Sequence, residues 1–314
     1  MKKLSLYSFL PLILSQQQYP IVIYRGLNST CCEGTTKILI DQIQAVLPLV
    51  DIHSVDLGKT RESDLLHSIF SDANEQVYRV CEQLKADVRL KDGFNGIGLS
   101  QGGLLLRAYI QRCNDPPVKN FITLGSPHAG INDLPDCEES AMRRISENVL
   151  TFLHLPTKEI VARWTCRALQ RAFKEYAHSA LFQSYFLPAQ YYIGKTIPEA
   201  NDEEKPIFIQ EINNEKEPRN ETFKNNLGSI QTFVMYRFSD DQLVIPVESE
   251  WFDLQPNKSL TEQPEIYRKD WLGLRQLNET GRLHLKVING SHLSWPSDFV
   301  QKELFPYLNQ TRFK

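Results

Sequence analysis

Gly98-Leu99-Ser100-Gln101-Gly102 sets one hydroxyl between two glycines. The apolar run Phe94 to Leu99 precedes it, and Gly103 with Leu104, Leu105 and Leu106 opens a helix pattern after it. That context suits a strand-to-helix nucleophile elbow, because glycine permits a bend where a Cβ would clash and the bend lifts Ser100 clear of the sheet. The first N–H groups of a helix have no partner inside it, so the Gln101 N–H can face a developing oxyanion. The implied chemistry is acyl transfer through a covalent serine intermediate. It requires a base, an acid to orient the base, and a second oxyanion donor.

His292, in Asn289-Gly290-Ser291-His292-Leu293, follows the strand-like run Leu283 to Ile288. It stands where the chain order Ser, acid, His puts the base. His128 comes too early for that order and reads as a polar loop residue beside the site. His284 alternates within a strand and reads as structural, while His53, His67, His154 and His178 have no such context. The acid is expected after the run Phe233 to Phe238, in Ser239-Asp240-Asp241. Asp241 is the first choice and Asp240 the second, the other being a solvated turn residue. The turn Gly26-Leu27-Asn28 is the natural source of the second oxyanion donor, the Leu27 N–H.

The elements that must position these groups alternate along the chain. Pro20 to Tyr24, Val50 to Val55, Gly93 to Leu99 and Val118 to Leu124 read as strands. Thr35 to Leu47, Asn74 to Leu90 (Asn74 as cap) and Gly102 to Cys113 read as helices. Such alternation predicts a mostly parallel sheet with helices on both faces, an α/β class. From about 138 to 192 helical patterns follow one another without strands, which predicts a helical cap insertion in a single domain spanning 16–314. Phe152, Trp164, Leu181, Phe182, Tyr185 and Phe186 in this region are candidates to line an apolar groove, with ordinary packing as the alternative.

The chain has 314 residues, 41% hydrophobic and 23% charged, with a formal net charge of -3. This is globular composition without the basic excess of a nucleic-acid binder. Met1-Lys2-Lys3, the apolar run Leu4 to Leu14 and Ser15 describe a secretory signal over residues 1–15. The run is too short to span a bilayer and Pro11 interrupts it, so no transmembrane segment is expected. Six cysteines, Cys31, Cys32, Cys81, Cys113, Cys137 and Cys166, suggest disulfides with 15 possible connectivities. None forms a CxxC pair and no His stands at zinc-site spacing, so neither metal nor cofactor is expected. Sequons at Asn28, Asn220, Asn257, Asn278, Asn289 and Asn309 fit a glycosylated chain.

These residues resemble the palmitoyl-protein thioesterases, lysosomal α/β-hydrolases that remove fatty acyl groups from cysteine. The resemblance runs from about Tyr19 to Leu308. It includes Ser29-Thr30-Cys31-Cys32, Asp56-Leu57-Gly58-Lys59-Thr60, the elbow, Gln111-Arg112-Cys113, Phe233-Val234-Met235, Pro246-Val247, Ser249-Glu250-Trp251-Phe252, Leu272-Gly273-Leu274 and Ser291-His292-Leu293. It implies an α/β-hydrolase fold, a triad of Ser100, Asp241 and His292, and disulfides Cys31–Cys32, Cys81–Cys113 and Cys137–Cys166. The vicinal cysteines favour the protein-depalmitoylating branch over its acyl-CoA-preferring relative. The implied substrate is an S-acylated protein or peptide, the implied location lysosomal or secreted, and a monomer is expected. Arg25 stands where the family carries His, Asn28 where it carries Gly, and the segment between Cys137 and Cys166 is longer than the family's. The rival readings are a lipase or carboxylesterase acting on oxygen esters, an acyl-CoA thioesterase, and a non-catalytic lipid-binding protein on the same fold.

Overall fold

The computed structural model describes residues 17–138, 140–152, 154–194 and 207–312. The signal expected over 1–15 lies outside the described residues. The strands are β1 (Gln17–Gln18), β2 (Ile21–Tyr24), β3 (Ile52–Ser54), β4 (Phe94–Leu99), β5 (Val118–Leu124), β6 (Thr232–Phe238), β7 (Leu283–Ile288) and β8 (Thr311–Arg312). Six of them form a parallel sheet in the order β3-β2-β4-β5-β6-β7, and β1 pairs with β8 separately. The helices used below are α1 (Gly34–Val46), α2 (Arg61–His67), α3 (Ala73–Ala86), α4 (Gln101–Arg112), α5 (Ser140–Phe152), α6 (Glu159–Tyr176), α7 (Ala180–Tyr185), α8 (Ile207–Ile212) and α9 (Glu221–Gly228).

Strands β2 and β4 are buried at every position, which is why they read as apolar runs rather than alternations. Successive side chains enter opposite layers. Phe94, Phe121 and Phe233 pack with Val77, Val80 and Leu84 of α3 and Leu105 and Tyr109 of α4. Ile97, Ile122 and Val234 pack with Leu39 and Ile43 of α1 and with Val300 and Leu304. A parallel sheet covered on both faces, with the elbow at the end of a central strand, is the expected α/β-hydrolase fold.

The register aligns the carboxyl ends of the strands: Tyr24 pairs with Gly98, Leu99 with Leu124, Leu124 with Tyr236, and Phe238 with Ile288. Every loop carrying a candidate site residue therefore leaves the same edge of the sheet. Disulfide Cys81–Cys113 ties α3 to the end of α4, Cys137–Cys166 ties the approach to α5 to α6, and Cys31 is joined to Cys32.

Some boundaries differ from expectation. Asp72, not Asn74, caps α3, its carboxylate accepting the N–H groups of Asn74 and Glu75 at 2.7 and 3.1 Å. That helix ends at Ala86 instead of Leu90, because Asp87 accepts the Arg89 N–H at 3.0 Å in a local turn; Val88 is 78% exposed. The sequence reading did not contain α2, whose few apolar residues give no periodicity; it is held by a capping box between Thr60 and Ser63. Between 140 and 191 the described residues form α5, α6, α7 and a 3-10 turn, Leu187–Tyr191.

Candidate active site

Ser100 sits between β4 and α4 with φ 51° and ψ −126°, a conformation costly for a residue with a side chain. Its N–H donates to Leu124 O at 2.8 Å and its carbonyl accepts the Gly103 N–H at 3.0 Å. Any Cβ at Gly98 would collide with the Gly103 backbone, and one at Gly102 with the carbonyls of Tyr24 and Arg25. At Gly103 it would stand 2.8 Å from Ser126 Cβ. The bend therefore exists only because strand, helix and neighbouring loop approach backbone to backbone. A Cβ on Gly26 would lie 3.2 Å from Ser100 Cβ, so the loop after β2 runs alongside the hydroxyl.

His292 follows β7, and its Nδ1 is hydrogen-bonded to Asp241 Oδ2. The Asp241 side chain is fully buried, and its Oδ1 accepts the N–H groups of Leu243 and Val244 at 2.7 and 3.0 Å. Asp240 is exposed and contributes only its N–H, donated to Gly290 O at 3.0 Å. Of the adjacent pair, Asp241 is thus the one that faces the imidazole. Gly125 has φ +64°, and a Cβ there would stand 3.1 Å from His292 Nδ1, so the ring needs that glycine. Ser100 and His292 lie in the wall of one cavity of about 660 Å³.

His128 lies in the turn after β5, as expected, but in the interior. It is fully buried, its Nε2 is within 3.1 Å of Thr123 Oγ1, and its ring stacks on Phe252. Burial, with Arg107 nearby, holds its pKa well below the usual 6.5, so it stays neutral.

The span that supplies these groups coincides with a family match. The sequence model described as Palmitoyl protein thioesterase matches residues 20–292. The chain belongs to the palmitoyl protein thioesterase family. It is 31% identical to Palmitoyl-protein thioesterase 1 of Caenorhabditis elegans over 92% of this chain and 91% of that one. It is 29% identical to Palmitoyl-protein thioesterase 3 of Dictyostelium discoideum over 92% of each, and 28% identical to the Lysosomal thioesterase PPT2 homolog of Drosophila melanogaster, again over 92% of each.

In this member of the thioesterase family, the loop beside Ser100 is held by Arg25 and Asn28. Arg25 and Asp64 are 1% and 2% exposed and form an ion pair at 2.6 Å. Arg25 also donates to the carbonyls of Asp64 (2.7 Å) and Ser29 (3.0 Å), while the Asp64 carboxylate accepts the N–H groups of Cys31 (2.9 Å) and Leu57 (3.2 Å). Asn28 has φ 56°, a region that glycine enters freely and asparagine tolerates better than most residues. Its N–H donates to Ser68 Oγ at 2.9 Å, and its Oδ1 accepts from Asn148 Nδ2 of α5 at 2.7 Å. Gln101 Nε2 donates to Ser68 O at 3.0 Å, and Gln101 Oε1 accepts the Tyr191 hydroxyl at 2.9 Å. Leu27 lines the cavity between these anchors.

The cavity wall is largely apolar and includes Met142, Ile145 and Leu169 with Leu181, Phe182, Tyr185 and Phe186. Trp164, expected among them, is instead 72% exposed on α6, and the side chain of Phe152 lies outside those described. Asn220, Asn257, Asn278, Asn289 and Asn309 are exposed, whereas Asn28 is part of the cavity wall.

Sequence reasoning missed Asp64, Ser68, Asn148 and the role of Glu250. Glu250 lies on the 3-10 turn Val247–Trp251, fully buried, with its Oε2 accepting the Phe238 N–H at 3.2 Å. Burial, then the hydrogen bond and charge of Asp241, push its pKa from 4.5 up to about 10, against weaker pulls from the Phe238 N–H and Arg237. Burial alone would also raise Asp241. The hydrogen bond and charge of His292, the Glu250 hydrogen bond and the Val244 N–H outweigh it and hold Asp241 below its usual 3.8.

Two measurements check this arrangement. Arg25→Met strands the Asp64 carboxylate in the interior and is expected to cost about 3–5 kcal/mol in urea unfolding. Arg25→Met/Asp64→Asn, which removes the stranded charge but keeps an acceptor for Cys31 or Leu57, should recover part of it. Glu250 has a folded pKa above its unfolded one, so its stabilisation is whole below pH 4.5 and declines as pH rises toward 10. Wild-type stability relative to Glu250→Gln should therefore fall across that window, by at most about 1.4 kcal/mol per pH unit. A flat difference between pH 5 and 9 would contradict the raised pKa.

Proposed function

We propose that the chain is a serine hydrolase that cleaves the thioester of long-chain fatty acyl groups, palmitate among them, on cysteine of proteins or peptides. The observation that carries this reading is the convergence of Ser100, on its strained bend, and the Asp241–His292 pair on one apolar cavity. The family relatives described as palmitoyl-protein thioesterases support the acyl group and the bond. The volume falls within the usual range for small-molecule sites, about 300–1,000 Å³.

In the reaction, His292 Nε2 takes the Ser100 proton and Oγ attacks the thioester carbonyl. The N–H groups of Leu27 and Gln101 receive the oxyanion. Collapse breaks the C–S bond. A thiol has a pKa near about 8.5, so the sulfur leaves readily as thiolate and takes its proton from the imidazolium. Water, giving a proton to His292, then attacks the acyl-Ser100 ester; the C–Oγ bond breaks, the imidazolium returns the proton to Ser100 Oγ, and the fatty acid leaves. Asp241 holds the Nδ1 tautomer and steadies the imidazolium. In this proposal residues 138–192 form the lid over the acyl chain, residues 1–15 are a secretory signal, and the chain acts as a monomer in the lysosome. Relatives described as lysosomal thioesterases and three disulfides, which belong to oxidising compartments, support that location.

The test is acyl release from an S-palmitoylated peptide. Ser100→Ala should lower kcat by about a million-fold and Asp241→Asn by about ten-thousand-fold. Each methylene that enters the cavity is worth about 0.8 kcal/mol, so kcat/KM should climb roughly fourfold per carbon and level off once the cavity is full. Faster cleavage of a matched oxygen ester would make it an esterase, and faster cleavage of palmitoyl-CoA an acyl-CoA thioesterase. Wild type that neither turns over substrate nor is labelled by a fluorophosphonate would be a binding protein.

A further inference from the structure

Behind the Asp241–His292 pair lies a second acid that the reaction above does not use. Asp241, Glu250 and His292 bring polar atoms within 4.8 Å of one another. Glu250 is 0% exposed. One of its oxygens is occupied by the Phe238 N–H, and among the described residues no N–H or hydroxyl donor reaches the other, Oε1. The acid beside it is Asp241, whose carboxyl comes within 4.8 Å of the Glu250 carboxyl. Two ionised carboxylates this close and this buried repel each other, and a single proton between them removes the repulsion and gives Oε1 its missing partner.

Which of the two holds that proton follows from their other partners. Asp241 already receives donors from Leu243, Val244 and His292, all of which favour the ionised form. Glu250 receives one N–H. The cation facing this turn, Arg237, is drawn over the Trp251 ring at 4.2 Å. Among the described residues no basic group forms an ion pair with Glu250 within 4.0 Å. The turn itself is fixed: Trp251 Nε1 donates to Met235 O at 3.0 Å, and Ser249 Oγ donates to Gly130 O at 2.5 Å.

We propose that Glu250 is a neutral carboxylic acid that donates its proton to Asp241, and that it serves as a positioning residue for the Asp241–His292 pair. The hydrogen bond holds the plane of the Asp241 carboxylate without adding a second negative charge behind the imidazole. Glu250 touches no substrate and acts only through Asp241. The positioning role rests on the hydrolase reading above; the protonation state does not.

Infrared spectroscopy at pH 7 tests the proton directly. Wild type and Ser100→Ala should both show the carbonyl stretch of a protonated carboxyl group, and Glu250→Gln should lack it. Kinetics on the palmitoylated peptide test the role. Glu250→Leu leaves Asp241 without this donor and should lower kcat about 10- to 100-fold at unchanged KM. Glu250→Gln can accept from Phe238 and donate to Asp241, and should restore most of that loss with the acid limb of the pH profile in place. The proposal is overturned if no protonated-carboxyl band disappears in Glu250→Gln. It is equally overturned if that variant moves the acid limb to lower pH, the sign of a lost negative charge, or if Glu250→Leu turns over like wild type. Should Glu250→Leu fail to fold, the infrared band and the Glu250→Gln profile decide. Wild type that releases no acyl group defeats the hydrolase reading and leaves the infrared result standing.

Discussion

The backbone at Ser100 is held where an ordinary residue resists going, and the surrounding structure keeps it there. A strained φ/ψ of this kind costs on the order of 1–3 kcal/mol. It survives because the N–H of Ser100 is tied to Leu124 in the next strand and because three glycines let backbone replace side chain around it. The parallel sheet supplies the rest. Adjacent strands in register release their loops at one edge, so a residue near position 26, one at 100, one at 241 and one at 292 meet without any being near another in sequence.

The loop after β2 shows how a buried charge is accommodated. An arginine with almost no exposure is tolerable only with its charge matched, and Asp64 matches it while also accepting from Cys31 and Leu57. One carboxylate thereby fixes the start of the vicinal cysteine pair and the segment ahead of α2. Asn28 keeps the left-handed conformation that glycine would take and uses its side chain to reach α5. Ser68 accepts from the Asn28 N–H and offers its own carbonyl to Gln101, linking the loop to the first residue of α4.

Much of this was legible in the residues. Val118–Leu124 and Leu283–Ile288 were legible to their ends because each is rich in β-branched and apolar residues and is followed directly by Gly125 or by Asn289-Gly290. The elbow was legible because its glycines have a steric job that no other residue type performs. Spacing alone could not choose between Asp240 and Asp241, since both follow β6 within three residues; the choice depends on which carboxyl turns inward. Asp64 and Glu250 were illegible for a related reason. A buried acid looks like any surface acid until its distant partners are known, here Arg25 and Asp241. Trp164 shows the reverse error: an aromatic in a helical pattern suggests an inward face, yet α6 turns it to solvent.

Asn28 carries one more consequence. It opens an Asn-Ser-Thr triplet, so its amide nitrogen is a chemical target for oligosaccharide transfer in the secretory pathway. In the folded chain Asn28 is only partly exposed, its Oδ1 is engaged by Asn148, and the residue stands in the wall shared with Ser100. Once the loop is closed, this triplet is the least open of the six to modification, since the other five asparagines are exposed.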